Sequence, residues 1–186
     1  DERSVLNFHG GSSSAHARLQ DYTFGKDLLK VYKETRNGMV GGDYSSKLSP
    51  WLSNGSISPR QVYWEVKKYE RDVVANESTY WLIFELLWRD YFKFLPLRVG
   101  TSLFRLNGPR DVTTKRWVSG EEASTGFTAW CTGTTGYALI DANMIELQKS
   151  GFMSNRGRQI VASFLTKDLG IDWRWGAEWF EANLID

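Results

Sequence analysis

The chain has 186 residues, 41% of them hydrophobic, with 23 basic and 22 acidic side chains; this is enough for one helical domain with a real core and short for two. The near-cancelling charges give no whole-molecule pull on a polyanion, so any nucleic-acid site must come from local clustering. A single cysteine, Cys131, excludes an internal disulfide framework and fits a reducing, intracellular compartment. Asp1-Glu2-Arg3 does not open a signal peptide, and the apolar run from Tyr80 to Leu87, broken by Glu85, is too short to span a bilayer.

Alternating β-branched runs are nearly absent while helix starts recur, so the chain reads as all-α. In chain order, helices are expected over Ser13 to Tyr22 and Lys26 to Glu34. The segment from Tyr32 to Pro59 is the least helical part, and a long ordered loop in a compact domain is more often functional than idle. Ser58-Pro59 supplies an N-cap followed by proline at the first helical position, opening a helix through Arg71. Ser78 is taken as the next cap, for a helix running toward Pro96, before an irregular stretch from Leu97 to Glu121. Ala123 to Cys131, Tyr137 to Lys149, Asn155 to Leu169 and Trp175 to Leu184 complete the set.

Three constellations carry chemistry. In Asp43-Tyr44-Ser45-Ser46-Lys47-Leu48-Ser49-Pro50-Trp51, serine hydroxyls and backbone amides suit a diphosphate and Lys47 adds charge; the same residue types also make a solvated serine-rich turn. Glu85, Trp88 and Arg89 lie at i, i+3 and i+4 on one helical face. They form either a grip for a polar ring or an intrahelical Glu85–Arg89 salt bridge beside a core tryptophan. In Asn155-Arg156-Gly157-Arg158-Gln159, Asn155 and Gln159 share a face, and arginines at a helix start oppose the helix dipole unless an external anion offsets them. Asn155 is otherwise a plain N-cap with solvated arginines behind it. His9, His16 and Cys131 have no metal spacing. Neither a Ser/His/Asp triad nor a glycine-rich dinucleotide fingerprint is present.

Tyr32 to Met39, Ser45 to Leu52, Glu85 to Phe92, Thr134 to Asn143 and Gly151 to Gly176 together resemble the flavin domain of the photolyase/cryptochrome family, in the family's order and over most of the chain. Gly151-Phe152-Met153-Ser154-Asn155-Arg156-Gly157-Arg158-Gln159, with Phe164 to Arg174, resembles the DASH branch, Gln159 standing where ordinary bacterial dimer photolyases carry methionine.

The resemblance implies an all-helical FAD-binding domain, partial over residues 1–186: lead-in helices over 1–31, a phosphate-binding region over 32–59 and a helical flavin and DNA core over 60–186. The amino-terminal α/β antenna domain with its chromophore site, and the carboxyl-terminal end of the helical domain, are expected to lie outside it. Tyr32, Ser45, Ser46, Leu48 and Ser49 would hold phosphates and ribityl chain, with Arg89, Asn155 and Asp186 near the flavin. Glu85, Trp88, Asn155 and Gln159 would line one pocket for a flipped pyrimidine dimer, and Arg156 would contact phosphate. A protonated Glu85 would stabilise the dimer after electron transfer, and Trp173 and Trp117 match the middle and outer members of an electron-hopping chain.

The implied activity is light-driven splitting of cyclobutane dimers in single-stranded DNA by a monomer, with no membrane partner, in cytoplasm or organelle. FAD binding by this length of chain is expected to be weak or absent. A blue-light photoreceptor or nucleic-acid-binding module without repair, and an inactive fragment, are the alternatives.

Overall fold

The computed structural model describes residues 6–111 and 116–186. Nine α-helices among them are α1 (Ser12–Gln20), α2 (Tyr32–Thr35), α3 (Ser49–Ser53), α4 (Pro59–Asp72), α5 (Glu77–Val99), α6 (Gly120–Thr132), α7 (Ala138–Ser150), α8 (Asn155–Ser163) and α9 (Trp173–Asn183), with no strand among the described residues. The all-α expectation is met. The contacts divide the chain into two compact units, residues 2–94 and 95–185.

Local signals set most helix ends. Ser58 accepts from the Gln61 amide at 3.2 Å while the Gln61 side chain accepts from the Ser58 amide at 2.8 Å, closing a capping box in front of Pro59. The cap of α5 is not Ser78. Asn76 and Thr79 cap each other instead, the Thr79 amide donating to Asn76 Oδ1 at 3.0 Å and the Asn76 amide to Thr79 Oγ1 at 3.1 Å. Ser78 is buried inside the first turn and donates to Glu34 at 2.8 Å. Helix α5 also continues through Pro96 to Val99 rather than stopping before it. Helices α1 and α8 each run on into a π-helical turn, Asp21–Gly25 and Phe164–Asp168.

Each unit has its own core. In the first, Leu19, Tyr22, Leu29, Trp51, Ile57, Val62, Val66 and Tyr69 pack together. In the second, Trp130, Ile140, Met144, Leu147, Met153, Val161, Leu165 and Ile171 do so, with Phe127, Trp175, Trp179 and Phe180 against them.

The turn before α7 hangs on one carboxylate. Asp141 Oδ1 accepts from the Thr135 amide at 2.8 Å and the Thr135 hydroxyl at 2.5 Å, and Oδ2 accepts from the Gly136 amide at 3.0 Å. Burial pushes this carboxyl up, but the hydrogen bonds from Thr135 and Gly136 outweigh it and hold it below the ordinary carboxylate range. A depressed folded-state value contributes stability above the unfolded value and loses it as pH falls through the folded one. Asp141→Asn should therefore cost about 1 kcal/mol at neutral pH and almost nothing in strong acid. Thermal melts at pH 7 and near pH 2 check this; an equal gap at both would show that the charge is not what matters.

Candidate functional site

In the first unit the serine-rich segment between α2 and α3 is held from below by Arg18 on α1. The Arg18 side chain is only 6% exposed, and it saturates its donors on this segment and its surroundings. Nε donates to Ser46 O at 3.0 Å, Nη2 to Gly42 O and Ser45 O at 3.0 Å each, and Nη1 to Asp43 Oδ1 at 3.1 Å and Asp21 Oδ2 at 3.2 Å. Lys26 Nζ reaches the other Asp43 oxygen at 3.0 Å. Burial raises the Asp43 carboxyl, and the hydrogen bonds from Lys26 and Arg18 bring it below its ordinary range.

Gly38 lets the start of the segment close on Tyr44, since a Cβ there would come within 2.7 Å of the Tyr44 Cβ. Lys47 sits in the left-handed region at φ 52°, a strain that is kept only where the surroundings impose it. Its ammonium lies 3.7 Å from the centre of the Tyr44 ring, so the charge expected to face an anion is directed at an aromatic face. Ser45 and Ser46 are in the loop as expected, whereas Ser49 is the first residue of α3. The Leu48 side chain belongs to the core, which leaves its backbone as the part available to a ligand. Tyr32 is buried edge-on to Tyr22 at 6.3 Å, its phenol pushed up by burial and then by the charge of Glu85, so it remains a neutral donor. On this immobilised loop Ser45 is partly exposed and Ser46 is buried.

On α5, Glu85 and Arg89 do not pair with each other. Glu85 Oε1 accepts from Arg36 Nη2 at 2.5 Å and from the Trp81 indole at 3.1 Å. Arg89 donates to the Leu52 carbonyl at 3.3 Å and to Asp90 at 3.4 Å, tying α5 to the end of α3. Arg36 is the partner that spacing along the helix could not reveal, because it arrives from the end of α2. Trp88 is not a core residue: it is 43% exposed, stacked on Phe92 at 5.6 Å and edge-on to Phe84 and Tyr91. Glu85, Trp88 and Arg89 thus stand together on one helix with an indole face open.

In the second unit Ser154, not Asn155, caps α8, its hydroxyl accepting from the Gly157 amide at 2.9 Å. Asn155, Arg156 and Gln159 are exposed on the first turns. Arg156 Nη1 donates to Gln159 Oε1 at 2.9 Å, and both line an open groove of about 400 Å³ with Ile140, Ile160, Ser163, Phe164 and Asp168. Arg158 turns inward and donates to the Met153 carbonyl at 2.9 Å. The Val118 amide donates to Gly170 O at 2.9 Å, running the segment of Trp117 beside the approach to Trp173; both indoles are half-buried, and Trp173 donates to Leu106 O at 3.0 Å. Asp186 is half-exposed at the last position. Glu85 and Trp88 belong to the first unit, Asn155 and Gln159 to the second. Among the described residues no group of His, Cys, Asp or Glu is arranged to hold a metal, and no helix is long and apolar enough to cross a membrane.

The secondary structure of the described residues is helical throughout, with a pinned serine loop and an open indole beside a carboxylate and a guanidinium. The family model of the FAD binding domain of DNA photolyase matches residues 81–186, and the chain belongs to that family. Within it the chain is similar to cryptochromes DASH. The chloroplastic/mitochondrial cryptochrome DASH of Solanum lycopersicum is 59% identical over 181 residues, 97% of this chain and 31% of that protein. The crystal structure of a Synechocystis cryptochrome superposes with TM-score 0.95 at 60% identity, covering 100% of this chain and 38% of that one. A bacterial class III photolyase from Agrobacterium tumefaciens gives 0.77 at 35% identity, covering 95% and 35%. The chain spans about a third of the length of the relatives it matches.

Proposed function

We propose that this chain forms the flavin- and lesion-binding part of a light-driven, FAD-dependent photolyase of the DASH type, acting on cyclobutane pyrimidine dimers in single-stranded DNA. What supports the reading most is the family match over residues 81–186, which contains Glu85, Trp88, Arg89, Asn155, Gln159 and Trp173.

FAD, when bound, supplies the single electron that splits the dimer. Tyr32, Ser45, Ser46, Ser49 and the Leu48 backbone would hold its phosphates and ribityl chain, and Arg89, Asn155 and Asp186 are the further residues that would contact it. Trp88 stacks against an extruded base with Glu85 at its polar edge, and Gln159 is an exposed polar contact for DNA on the other unit. Arg36 and the Trp81 indole both engage Glu85 Oε1, so a Glu85 that donates to the dimer does so from Oε2. Arg156, exposed at the groove, takes a DNA phosphate, and Trp117 and Trp173 relay electrons to the cofactor. The chain acts as a monomer, in the cytoplasm or an organelle.

Fluorescence titration of FAD against the 186-residue chain tests the cofactor reading. Ser45, Ser49 and Arg89 are half-exposed, so water competes for each polar contact, and binding should be saturable but no tighter than micromolar. Absence of any binding would favour the inactive-fragment alternative over the cofactor reading for this chain, and nanomolar binding would show that this chain alone encloses the cofactor. Loss of dimers from a single-stranded oligonucleotide under blue light then separates repair from photoreception.

A further inference from the structure

We infer that Arg18 is a positioning residue for cofactor binding: by drawing the carbonyls of Gly42 and Ser45 inward, it aims the amides of Asp43 and Ser46 at the cofactor's diphosphate. The inference rests on the FAD reading above and adds a residue that the serine motif does not contain.

A trans peptide is planar, with the C=O of one residue and the N–H of the next pointing in opposite directions. No cis peptide bond occurs among the described residues. Gly42 O and Ser45 O each lie 3.0 Å from Arg18 Nη2, and Ser46 O lies 3.0 Å from Nε. Each carbonyl that faces Arg18 therefore turns the following N–H to the opposite side of the loop.

The effect on an anion is double. Partial negative charge is removed from its path, and partial positive charge is presented to it, as in other concave backbone sites for phosphate. The guanidinium itself need not touch the anion. Its own charge is balanced by Asp21 and Asp43 at 3.2 and 3.1 Å, and its planar fork fixes several acceptors at once. A lysine at this position keeps the charge but, with a single nitrogen, cannot hold Gly42 O, Ser45 O, Ser46 O and Asp43 together.

The test uses the 186-residue chain, with FAD and riboflavin as probes, because riboflavin has the ring and ribityl chain without phosphate. In ¹⁵N–¹H spectra of the unaltered protein, FAD should shift the amide signals of Asp43 and Ser46, and riboflavin should leave them in place. Arg18→Lys should weaken FAD binding about tenfold or more with riboflavin binding unchanged. Without ligand, the same substitution should speed hydrogen exchange across residues 42–46.

FAD binding that leaves the Asp43 and Ser46 signals unmoved overturns the amide orientation. Equal weakening of FAD and riboflavin in Arg18→Lys, or weakening of neither, overturns the positioning role. Should Arg18→Lys fail to fold, the spectra of the unaltered protein decide. A chain that binds no FAD at all overturns the cofactor reading instead, and exchange rates unchanged by Arg18→Lys would then separately overturn the control of the loop by Arg18.

Discussion

Trp130→Ala should lower the stability of the protein by about 3–5 kcal/mol, the range for removing a large aromatic side chain from a packed core. Trp130 is fully buried on α6, nearly parallel to Phe127 at 5.8 Å and edge-on to Phe180 at 5.7 Å, so it joins α6 to α9. Its indole N–H donates to the Val161 carbonyl at 3.0 Å, at the point where α8 approaches its π-helical end. Alanine would remove ring contacts on two sides together with the indole's hydrogen bond; the Val161 carbonyl keeps the Phe164 amide as a donor, so the lost bond accounts for only about 0.5–1.5 kcal/mol, contained in the same range. Trp130→Phe keeps a six-membered ring but loses the donor and part of the indole's volume, so its loss sets an upper bound on the share of the hydrogen bond. Denaturant unfolding followed by far-ultraviolet circular dichroism gives both values, and a loss below about 1 kcal/mol for alanine would show that the site collapses freely.

What could be read from the residues alone was local. Ser58, Pro59 and Gln61 form their capping box within a single turn, and the helix they open was visible for that reason. Ser78 reads as a cap from its residue type, but Asn76 fills that role, because the deciding contact, Asn76 with Thr79, is a matter of backbone direction. The π-helical ends of α1 and α8 carry no composition signal that separates them from ordinary helix. The site separates along the same line. Spacing places Glu85, Trp88 and Arg89 on one helix and leaves a Glu85–Arg89 pair as one of two readings; Glu85 pairs instead with Arg36 from elsewhere in the chain. Arg18 was invisible because its loop acceptors lie 24 to 28 residues away, and a lone arginine on a polar helix reads as solvated. The resemblance supplied the family, and the family model over residues 81–186 bears it out; long-range partners came only from the coordinates.

Gly157→Ala should destabilise the protein by about 2 kcal/mol, although helix propensity alone favours alanine over glycine by about 1 kcal/mol. The glycine sits inside the first turns of α8 with ordinary helical backbone, so its role is space rather than conformation. A Cβ there would stand 2.2 Å from Asn143 Oδ1 and 3.0 Å from both Met153 Cγ and Ser154 Oγ. None of these yields easily. Asn143 is buried and fixed by its own hydrogen bond to the Leu139 carbonyl at 2.8 Å, Met153 is fully buried, and Ser154 is the helix cap. Overpacking of this kind costs about 1–3 kcal/mol and exceeds the propensity gain. The same reasoning forecasts a rescue: Asn143→Ala removes the nearest obstacle, so the double variant Gly157→Ala/Asn143→Ala should be more stable than the sum of the single losses allows by about 1 kcal/mol or more. Unfolding curves for the four proteins of this cycle decide it. Additive losses would mean that the backbone of α8 lifts away instead, and since that turn carries Asn155, Arg156 and Gln159, a lifted helix would also displace the groove that Arg156 and Gln159 line.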